Sequence, residues 1–484
     1  MPKHKNLRVA IIGAGASGIL AAIKLRESGV NDILVFEKGD ELGGTWRDNQ
    51  YPGVACDVPS HAYRYTFAPN AEWSRHYSPG AEILEYLKKT AADYRVDGFI
   101  RYQEEVVRAE FVDNKWQLET TSGDQGVFDI VISAAGILHH PVYPDIAGLH
   151  DFEGQTVHSA RWDKRLNYAG KRVGIIGNGS TGTQIISAMV DDVATLTVFQ
   201  RTPQWIMPSA NSITTQEQKA EFRKNPGLMQ DQYDQIITMM NTLFAAAIVG
   251  ENPEAYELIS QSCQDNLQSV KDPVLRQKLT PDYKVGCKRL VLSGSFYDDI
   301  QKPNVALVTD AIDSICAQGI RTVDGELHEL DILVLATGFD PHRFLRPMDV
   351  RGLNGVKLEE EWADQNRSYL TVTVPEFPNF FMLGGPSSPI GNFSYLLTAE
   401  TQIGFILQLV ERLRKSDVSS ISPRKSACDA FNEALQEKMA GTVWTSGCAS
   451  WYLDQNGNVA SWPWSYDKFT TDLSEPRWED FELA

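Results

Sequence analysis

A glycine-rich turn occurs twice in this chain, each time between an apolar run and a segment with helical patterning. The first turn, GAGASG (13–18), follows LRVAII (7–12), and the second, GNGSTG (177–182), follows RVGII (172–176). A short, continuously apolar run is typical of a parallel strand that is buried on both faces. Strand, glycine turn and helix in this order make the phosphate-binding half of a Rossmann unit. We therefore predict an α/β fold with two Rossmann-like dinucleotide-binding domains.

The glycines of this motif have separate tasks in binding a pyrophosphate. The first makes the tight turn, the second lets the backbone approach the pyrophosphate, and the third lets the helix pack on the strand. The N–H groups of the first helical turn then face the phosphates. The predicted contact positions are Gly13, Gly15, Ser17 and Gly18 in the first loop, and Gly177, Gly179, Ser180, Thr181 and Gly182 in the second.

The residue at the end of the second strand of each repeat distinguishes the two sites. Counting 24 residues from Gly13 reaches Glu37, and the same count from Gly177 reaches Arg201. An acid here accepts hydrogen bonds from a ribose with a free 2′-hydroxyl, whereas an arginine suits a 2′-phosphate. We predict that Glu37 binds a ribose and that the second site takes NADP(H) rather than NAD(H).

The net charge of the chain argues against two classes of binding partner. The chain has 484 residues and a net charge of −18, which argues against a nucleic-acid partner and against an anionic membrane surface. The most apolar run, 236–249, is too short to span a bilayer, so no membrane contact is predicted. The start, MPKHKNLRVAIIG, leads into a predicted strand instead of a signal peptide, and we therefore expect a cytoplasmic protein.

The cysteines give no sign of a cross-linked or metal-bound fold. The six positions are scattered and include no CxxC pair: Cys56, Cys263, Cys287, Cys316, Cys428 and Cys448. We expect neither a disulfide framework nor a zinc site, in keeping with a reducing cytosol. The histidines show no metal-ligand spacing either, so no metal is predicted.

The stretch FEGQTVHSARWD (152–163) lies between the two glycine loops. It is too polar and irregular for a strand and keeps no helical period, so we expect a connection without regular structure. Its pattern, F-x-G-x-x-x-H-x-x-x-W-D, resembles the fingerprint of type I Baeyer–Villiger monooxygenases. All fixed positions are filled: Phe152, Gly154, His158, Trp162 and Asp163. The resemblance implies an FAD- and NADPH-dependent enzyme that uses O2 to convert a ketone into an ester or lactone, through a peroxide at flavin C4a.

A second block, GGTW…YPG…CD (43–57), is similar to the segment that lies along the flavin ring in the same family. The resemblance implies that the first site holds FAD. It also implies that Asp57 positions an active-site arginine and that the backbone near Val106 contacts the adenine. The FAD contacts predicted in this way are Gly44, Thr45, Trp46, Asp57, Tyr63 and Val106.

The segment GCKRL (286–290), followed by FY and NV, resembles the family segment that carries the catalytic arginine. That arginine corresponds to Arg289, which we predict to be catalytic together with Asp57 and to contact the cofactor. The resemblance further implies that Arg201, Thr202 and Lys288 hold the 2′-phosphate of NADPH. A guanidinium suits this chemistry because it stays charged and can stabilise an oxyanion in a site from which water is excluded.

These motifs divide the chain into interleaved domains. The FAD-binding domain is predicted to take residues 1–140 and, together with the C-terminal tail, 336–484. The NADP-binding domain takes residues 141–208, which include the fingerprint linker, and 285–335. A helix-rich insertion in the NADP domain, 209–284, separates its two parts. We expect a monomer or homodimer that binds a ketone and O2.

Two other functions remain open on the sequence. An N- or S-oxygenating flavin monooxygenase has similar glycine loops but usually lacks the terminal Trp-Asp pair of the fingerprint. A flavin disulfide reductase or NADPH oxidase is a weaker alternative, since no CxxC or CxxxxC redox pair follows the first loop.

Overall fold

The computed structural model describes residues 5–391, 393–415, 418–454, 456–458 and 460–484. The N-terminal stretch forms strands and helices in the following order: β1 (Arg8–Ile12), α1 (Ala16–Glu27), β2 (Asp32–Glu37), α2 (Thr45–Asp48), α3 (Gly80–Asp93), β3 (Ile100–Tyr102), β4 (Val106–Val112), β5 (Lys115–Thr120), β6 (Gly123–Phe128) and β7 (Ile130–Ser133).

The middle of the chain continues with β8 (Gln155–His158), β9 (Arg172–Ile176), α4 (Ser180–Met189), β10 (Thr195–Phe199), β11 (Ile206–Pro208), α5 (Gln216–Lys224), α6 (Gly227–Met239), α7 (Ala246–Ile248), α8 (Pro253–Leu267), α9 (Pro273–Lys278), β12 (Val291–Ser293), α10 (Phe296–Asp299), β13 (Val305–Val308), β14 (Ile312–Cys316), β15 (Gly319–Thr322), β16 (Leu327–Glu329) and β17 (Ile332–Leu335). A π-helical turn, Met240–Ala245, joins α6 to α7.

The C-terminal part contains β18 (Asp349–Arg351), α11 (Leu358–Glu361), β19 (Phe380–Met382), α12 (Tyr395–Lys415), β20 (Ile421–Pro423), α13 (Lys425–Met439), α14 (Tyr466–Asp472) and β21 (Phe481–Leu483).

Two five-stranded parallel sheets organise these elements. The first has the order β19-β7-β1-β2-β3, and the second has the order β8-β17-β9-β10-β13. Each sheet is accompanied by antiparallel strands, β4-β5-β6 with the first and β14-β15-β16 with the second. We call these assemblies the first and second units. The predicted α/β fold with two Rossmann-like domains is confirmed.

The central strand of the first unit alternates between two cores. Val9 and Ile11 pack into the core that contains α1 and α12, whereas Ala10 and Ile12 pack into the core that contains Trp116 of the antiparallel strands. A strand whose successive side chains point to opposite faces is apolar throughout only if both faces are covered. This double burial explains why LRVAII is apolar at every position.

The second unit repeats this arrangement. Val173 and Ile175 of β9 pack with α4, and Ile176 packs with Ile315 and Ile320 of the second set of antiparallel strands. The two glycine loops therefore leave equivalent strands at equivalent points of their sheets. The internal repeat seen in the sequence is a repeat of the whole layered unit.

The helix-rich insertion contains α5 to α9 and contacts both units. Ile236 and Ala245 belong to the core of the first unit, whereas Ile259 and Cys263 belong to the core of the second. The insertion therefore packs across the junction of the units. Among the described residues, no helix combines the length and apolarity that a membrane span requires.

The expectation for the fingerprint stretch was wrong, because part of it forms β8. This strand lies at the edge of the second sheet and, among the described residues, pairs in parallel with β17 alone. Gln155 and Thr156 are exposed, whereas Val157 and His158 are buried. An edge strand tolerates polar residues that a central strand would exclude, so the polarity of this stretch was misleading.

The expectation that the cysteines form no disulfide was also wrong. Cys287 and Cys448 are bonded, with Cα atoms 6.2 Å apart and a sequence separation of 161 residues. The other four cysteines are free. The pairing depends on two loops that meet only in the folded chain, so spacing in the sequence does not reveal it.

Candidate active site

The first glycine loop presents free backbone donors to a ligand. Gly13 has a φ of +102°, and α1 begins after Gly15 without a side-chain cap. A Cβ on Gly18 would lie 1.8 Å from the carbonyl oxygen of Gly13, so only glycine lets the helix pack on the turn. The uncapped N–H groups at the start of the helix fit the pyrophosphate of a dinucleotide.

Glu37 fastens this loop to the end of β2. Its Oε2 accepts a hydrogen bond from the N–H of Ala14 at 2.8 Å, and its Oε1 accepts from the N–H of Gly39 at 2.8 Å. Arg47 Nη1 also donates to Oε1 at 2.7 Å. Burial opposes the charge of Arg47, but Asp48 and Glu37 outweigh it and raise the pKa of the guanidinium. The ribose contact of Glu37 stays a prediction.

The segment predicted to lie along the flavin packs against the first loop. A Cβ on Gly15 would lie 3.6 Å from the Cα of Gly44, so the two backbones are nearly in contact. Thr45 and Trp46 follow in α2. Trp46 Nε1 donates to the hydroxyl of Tyr63 at 3.2 Å. The predicted FAD residues of this block are thus gathered beside the first glycine loop.

The same segment continues into the interface with the second unit. The hydroxyl of Tyr51 donates to Gln184 Oε1 at 2.9 Å, and Gln184 Nε2 donates to the carbonyl of Ala55 at 3.1 Å. A Cβ on Gly53 would lie 2.6 Å from the carbonyl oxygen of Gln184. The YPG turn of the first unit therefore packs directly on α4 of the second.

The second glycine loop has the geometry of the first. Gly177 has a φ of +104°, and a Cβ on Gly182 would lie 2.2 Å from the carbonyl oxygen of Gly177. Helix α4 begins after Gly179, again without a side-chain cap, and its first residues are Ser180 and Thr181. This helix N-terminus also fits a pyrophosphate.

An amide pair replaces the carboxylate at the end of β10, because Gln200, and not Arg201 as the residue count predicted, occupies the position equivalent to Glu37. Asn178 Nδ2 donates to Gln200 Oε1 at 2.7 Å, and Gln200 Nε2 donates to the carbonyl of Lys278 at 2.7 Å. Both amide side chains are buried. Lys278 ends α9, so this pair connects the second loop to the helical insertion.

Two cations, Arg201 and Lys288, lie close to each other beyond the end of β10. Arg201 is exposed, and Thr202 follows it in a bend. Burial, together with the nearby charge of Arg201, lowers the pKa of the Lys288 amino group. Within the described residues, neither Arg201 nor Lys288 has a carboxylate at ion-pair distance, and Lys288 Nζ lies 4.9 Å from the centroid of the Tyr283 ring. Two mutually repelling cations fit a 2′-phosphate, which would neutralise them.

An ion pair joins the two units at the predicted catalytic residues. Arg289 lies two residues before the start of β12, and Asp57 follows the YPG turn of the first unit. Nε of Arg289 donates to Asp57 Oδ2 at 3.0 Å, and Nη2 donates to the same oxygen. The two side chains are 29% and 24% exposed, so the pair can still be reached by a ligand.

The charge of this arginine is secure. Burial alone would lower the pKa of Arg289, but the negative charge of Asp57 and its hydrogen bonds raise it overall. The side chain therefore carries a positive charge at any pH at which the protein is folded. The site holds a fixed cation whose orientation is set by a carboxylate from the other unit.

His158, the histidine of the fingerprint, contacts both chain segments that connect the two units. The N–H of Val142 donates to the carbonyl of Gly338 at 2.9 Å, which pairs the outgoing and returning chains. His158 Nδ1 accepts from the N–H of Ala160, so Nε2 carries the hydrogen and lies 3.3 Å from the carbonyl of Val142. Nε2 is also 3.2 Å from Thr337 Oγ1. Burial lowers the pKa of His158, which keeps it neutral.

The other fingerprint positions have mainly packing tasks. Phe152 is buried in the core of the second unit. A Cβ on Gly154 would lie 2.5 Å from the carbonyl oxygen of Asp331, so this position requires glycine. Trp162 packs against the same unit. Asp163 is exposed and pairs with Arg165 at 2.9 Å.

Two predicted cofactor residues have structural partners of their own. Ser17 is buried, and its hydroxyl donates to the hydroxyl of Tyr395 in α12 at 3.0 Å. Val106 begins β4 and pairs with Thr120 across the antiparallel sheet. Their contacts with FAD stay predictions.

Three residues that the structure places at the site were not singled out from the sequence: Gln184, Gln200 and Tyr452. For Gln200 a signal existed, since a polar residue follows directly on the apolar strand TLTVF. Gln184 and Tyr452 act through partners more than 100 residues away, which no local pattern reveals.

Comparison with known proteins agrees with this geometry. Residues 6–215 match the family model described as flavin-binding monooxygenase-like. An uncharacterized monooxygenase of Mycobacterium tuberculosis is 44% identical over 476 residues, which cover 98% of this chain and 96% of that protein. A Baeyer–Villiger monooxygenase of Streptomyces coelicolor is 38% identical over 475 residues, covering 96% of this chain and 90% of that protein.

A solved structure extends the agreement to the whole fold. Cyclohexanone monooxygenase from Rhodococcus sp. Phi1 bound to NADP+ superimposes with a TM-score of 0.88 at 30% identity, covering 99% of each chain. The chain therefore belongs to the Baeyer–Villiger monooxygenases, a family of flavin-binding enzymes, and its cofactors are FAD and NADP(H).

Proposed function

We propose that the chain uses NADPH and O2 to insert one oxygen atom next to the carbonyl group of a ketone, giving an ester or a lactone. The observation that carries the proposal is the ion pair between Arg289 and Asp57 at the junction of the units. The similar Rhodococcus protein is a cyclohexanone monooxygenase, which supports a ketone as the substrate class.

Each cofactor has residues here that would hold it. FAD would lie on the first loop and the segment from Gly44 to Tyr63, and NADPH would lie on the second loop. The chemistry that bound FAD would supply is the activation of O2 for transfer of one of its oxygen atoms. Arg201, Thr202 and Lys288 would bind the 2′-phosphate, and the two charges account for a preference for NADPH over NADH.

Arg289 would act on the charge that develops during oxygen transfer. Attack on a carbonyl places negative charge on oxygen atoms, and a fixed guanidinium stabilises that charge without having to reorient. Asp57 contacts Nε and Nη2 through a single oxygen and so sets the plane of the guanidinium. Nη1 takes no part in this ion pair.

The first test replaces Arg289 with alanine. The variant should keep FAD and still oxidise NADPH, because the glycine loops and the 2′-phosphate residues are intact. Ester formation should fall by at least about 100-fold, since a preorganised charge stabiliser typically contributes that much. Ester should be quantified by gas chromatography and hydrogen peroxide in parallel, using a panel of cyclic and linear ketones.

A matched control is Arg223→Ala, which removes a surface arginine paired with Glu72. It should leave ester formation unchanged. Normal ester formation by the Arg289→Ala variant would remove this residue from the mechanism. A wild-type enzyme that oxygenates amines or sulfides but no ketone of the panel would replace the proposed function with heteroatom oxygenation.

A further inference from the structure

Tyr452, near the C-terminus, packs between two tryptophan rings beside Arg289, the proposed catalytic arginine. Tyr452 is 3% exposed, and its ring stacks on Trp444 with centroids 4.7 Å apart. The ring of Trp451 stacks on it as well, at 4.6 Å. Trp444 is completely buried. Because both neighbouring rings fix the plane of Tyr452, its hydroxyl has a defined position.

That hydroxyl converges with Arg289 on the backbone of Gly391. A Cβ on Gly391 would lie 2.6 Å from the Tyr452 hydroxyl oxygen and 3.0 Å from Arg289 Nη1. Gly391 has a φ of +99°, so no other residue suits this position. Nη1 is the one guanidinium nitrogen that takes no part in the Asp57 ion pair. The Tyr452 hydroxyl and the nitrogen that Asp57 leaves free therefore lie next to the same glycine.

A covalent cross-link joins the two segments that meet here. Cys287 precedes Arg289 by two residues, and Cys448 precedes Tyr452 by four. Their disulfide holds the Cα atoms 6.2 Å apart. Both cysteines are buried, so the bond lies within the packed site rather than on the surface. The link limits how far the segment 443–454 can move from the strand that follows Arg289.

We propose that Tyr452 is a positioning residue for Arg289, that its hydroxyl accepts a hydrogen bond from Nη1, and that the Cys287–Cys448 disulfide keeps it there. The inference rests on the proposed function of Arg289 and adds a second point of support to the one from Asp57. Burial raises the pKa of Tyr452 to about 12, so the group is a neutral hydroxyl at physiological pH. It orients the guanidinium without cancelling its charge.

The disulfide makes this support dependent on redox conditions. A dithiol that reduces the bond transfers two electrons and two protons to the two sulfur atoms and is itself oxidised to a disulfide. The products are the thiols of Cys287 and Cys448. Segment 443–454 then keeps only its noncovalent contacts, so the Tyr452 hydroxyl spends less time within reach of Nη1.

The test begins with Tyr452→Phe in the FAD-loaded enzyme. Phenylalanine keeps the stack between Trp444 and Trp451 and removes only the hydroxyl. Ester formation should fall about tenfold, the effect of losing a hydrogen bond to a charged group. NADPH consumption should stay within about twofold of wild type, because the cofactor sites are intact. The NADPH that no longer yields ester should yield hydrogen peroxide instead. Hydrogen exchange of residues 443–454 should not change.

The control is Tyr94→Phe, which removes a hydroxyl that donates to the carbonyl of Phe67, away from Arg289. It should behave as wild type. Faster hydrogen exchange across residues 443–454 in Tyr452→Phe would show a packing role and overturn the inference. The same conclusion follows if Tyr452→Phe makes ester at the wild-type ratio to NADPH. If the wild-type enzyme makes no ester, the proposed function itself has failed.

The role of the disulfide is tested with Cys448→Ser and with dithiothreitol. Either change should lower the ratio of ester to NADPH in the same direction as Tyr452→Phe and should speed hydrogen exchange of residues 443–454. Dithiothreitol should have no effect on Cys448→Ser. Adding Tyr452→Phe to Cys448→Ser should lower the ratio by much less than about tenfold, because both act through one contact. Fully multiplicative effects would overturn the link between the disulfide and Tyr452.

Discussion

The two units differ in how each fastens its glycine loop to the end of the following strand. In the first unit, one carboxylate does this, because Glu37 accepts a hydrogen bond from the N–H of Ala14. In the second, a pair of amides does it, because Asn178 and Gln200 are bonded through their side chains. The backbones are otherwise alike, with φ values of +102° at Gly13 and +104° at Gly177.

This difference shows how the same fold can carry a negatively charged side chain near this point in one unit and a positively charged one in the other. A carboxylate at the end of the second strand would repel a 2′-phosphate. In the second unit, the neutral pair of Asn178 and Gln200 holds the loop instead, so Arg201 can occupy the next position. Arg201 then adds to the charge of Lys288, and the repulsion between them is relieved when a dianionic group binds.

The largest effect should come from adding one methyl group to the third glycine of each loop. Gly18→Ala and Gly182→Ala place a Cβ 1.8 and 2.2 Å from a carbonyl oxygen, and each should lower the free energy of unfolding by about 3 kcal/mol. The ligand lost should differ between units. Gly18→Ala should purify without flavin absorbance, whereas Gly182→Ala should keep FAD that NADPH no longer reduces.

The control for this pair is Gly404→Ala, at a helical glycine with no atom within 4 Å of the added Cβ. It should stabilise the protein slightly, by about 1 kcal/mol at most. If both loop variants lost the same cofactor, the two loops would not serve separate sites.

The next effect concerns the cations of the second unit. Arg201→Ala should raise the Michaelis constant for NADPH about 30-fold, as expected for losing a charge-assisted contact worth about 2 kcal/mol. The Michaelis constant for NADH should stay within about twofold, since NADH has no 2′-phosphate. Steady-state NADPH and NADH oxidation measures both. Equal increases for the two cofactors would remove Arg201 from the 2′-phosphate site.

A smaller effect should follow from breaking the amide pair. Gln200→Leu leaves Asn178 and the carbonyl of Lys278 without a partner and should lower the free energy of unfolding by about 1–2 kcal/mol. Asn178→Leu should have a similar effect, and the double variant should cost less than the sum. Denaturant unfolding measures these values. Additive losses would mean that the two amides act independently.

The smallest effect is a shift in pH dependence. As pH rises through the lowered pKa of Lys288, its amino group loses its charge, so the Michaelis constant for NADPH should increase at alkaline pH. In Arg201→Ala the repulsion disappears, the pKa of Lys288 rises, and the increase should begin at a higher pH. A Lys288→Met variant should show no such increase. An unchanged profile in Arg201→Ala would mean that the two cations do not interact.

The repeated unit was predictable because its signals are local. Each glycine loop lies beside its own strand and helix. The count of 24 residues was one position too long in the second repeat, because the structure places Gln200, not Arg201, at the position equivalent to Glu37. The turn between β4 and β5 is also local, since Asp113 and Asn114, two residues suited to positive φ, form it. In these cases the residues that determine the structure are close together in the chain.

The parts that escaped prediction depend on distant contacts. The strand Gln155–His158 forms because β17 offers an edge almost 180 residues later. The disulfide of Cys287 and the contact of Tyr51 with Gln184 join segments that meet only after the chain has folded. Local periodicity carries none of this information.

The strand order of the two sheets has a consequence for protein synthesis. All five strands of the second sheet have been made once Leu335 leaves the ribosome. The first sheet lacks its edge strand until Met382 has emerged, although its central strand begins at Arg8. Because domains generally fold as units during translation, the unit that starts first is the one that finishes last. Strand β7 must wait without its neighbour β19 while the whole second unit is translated.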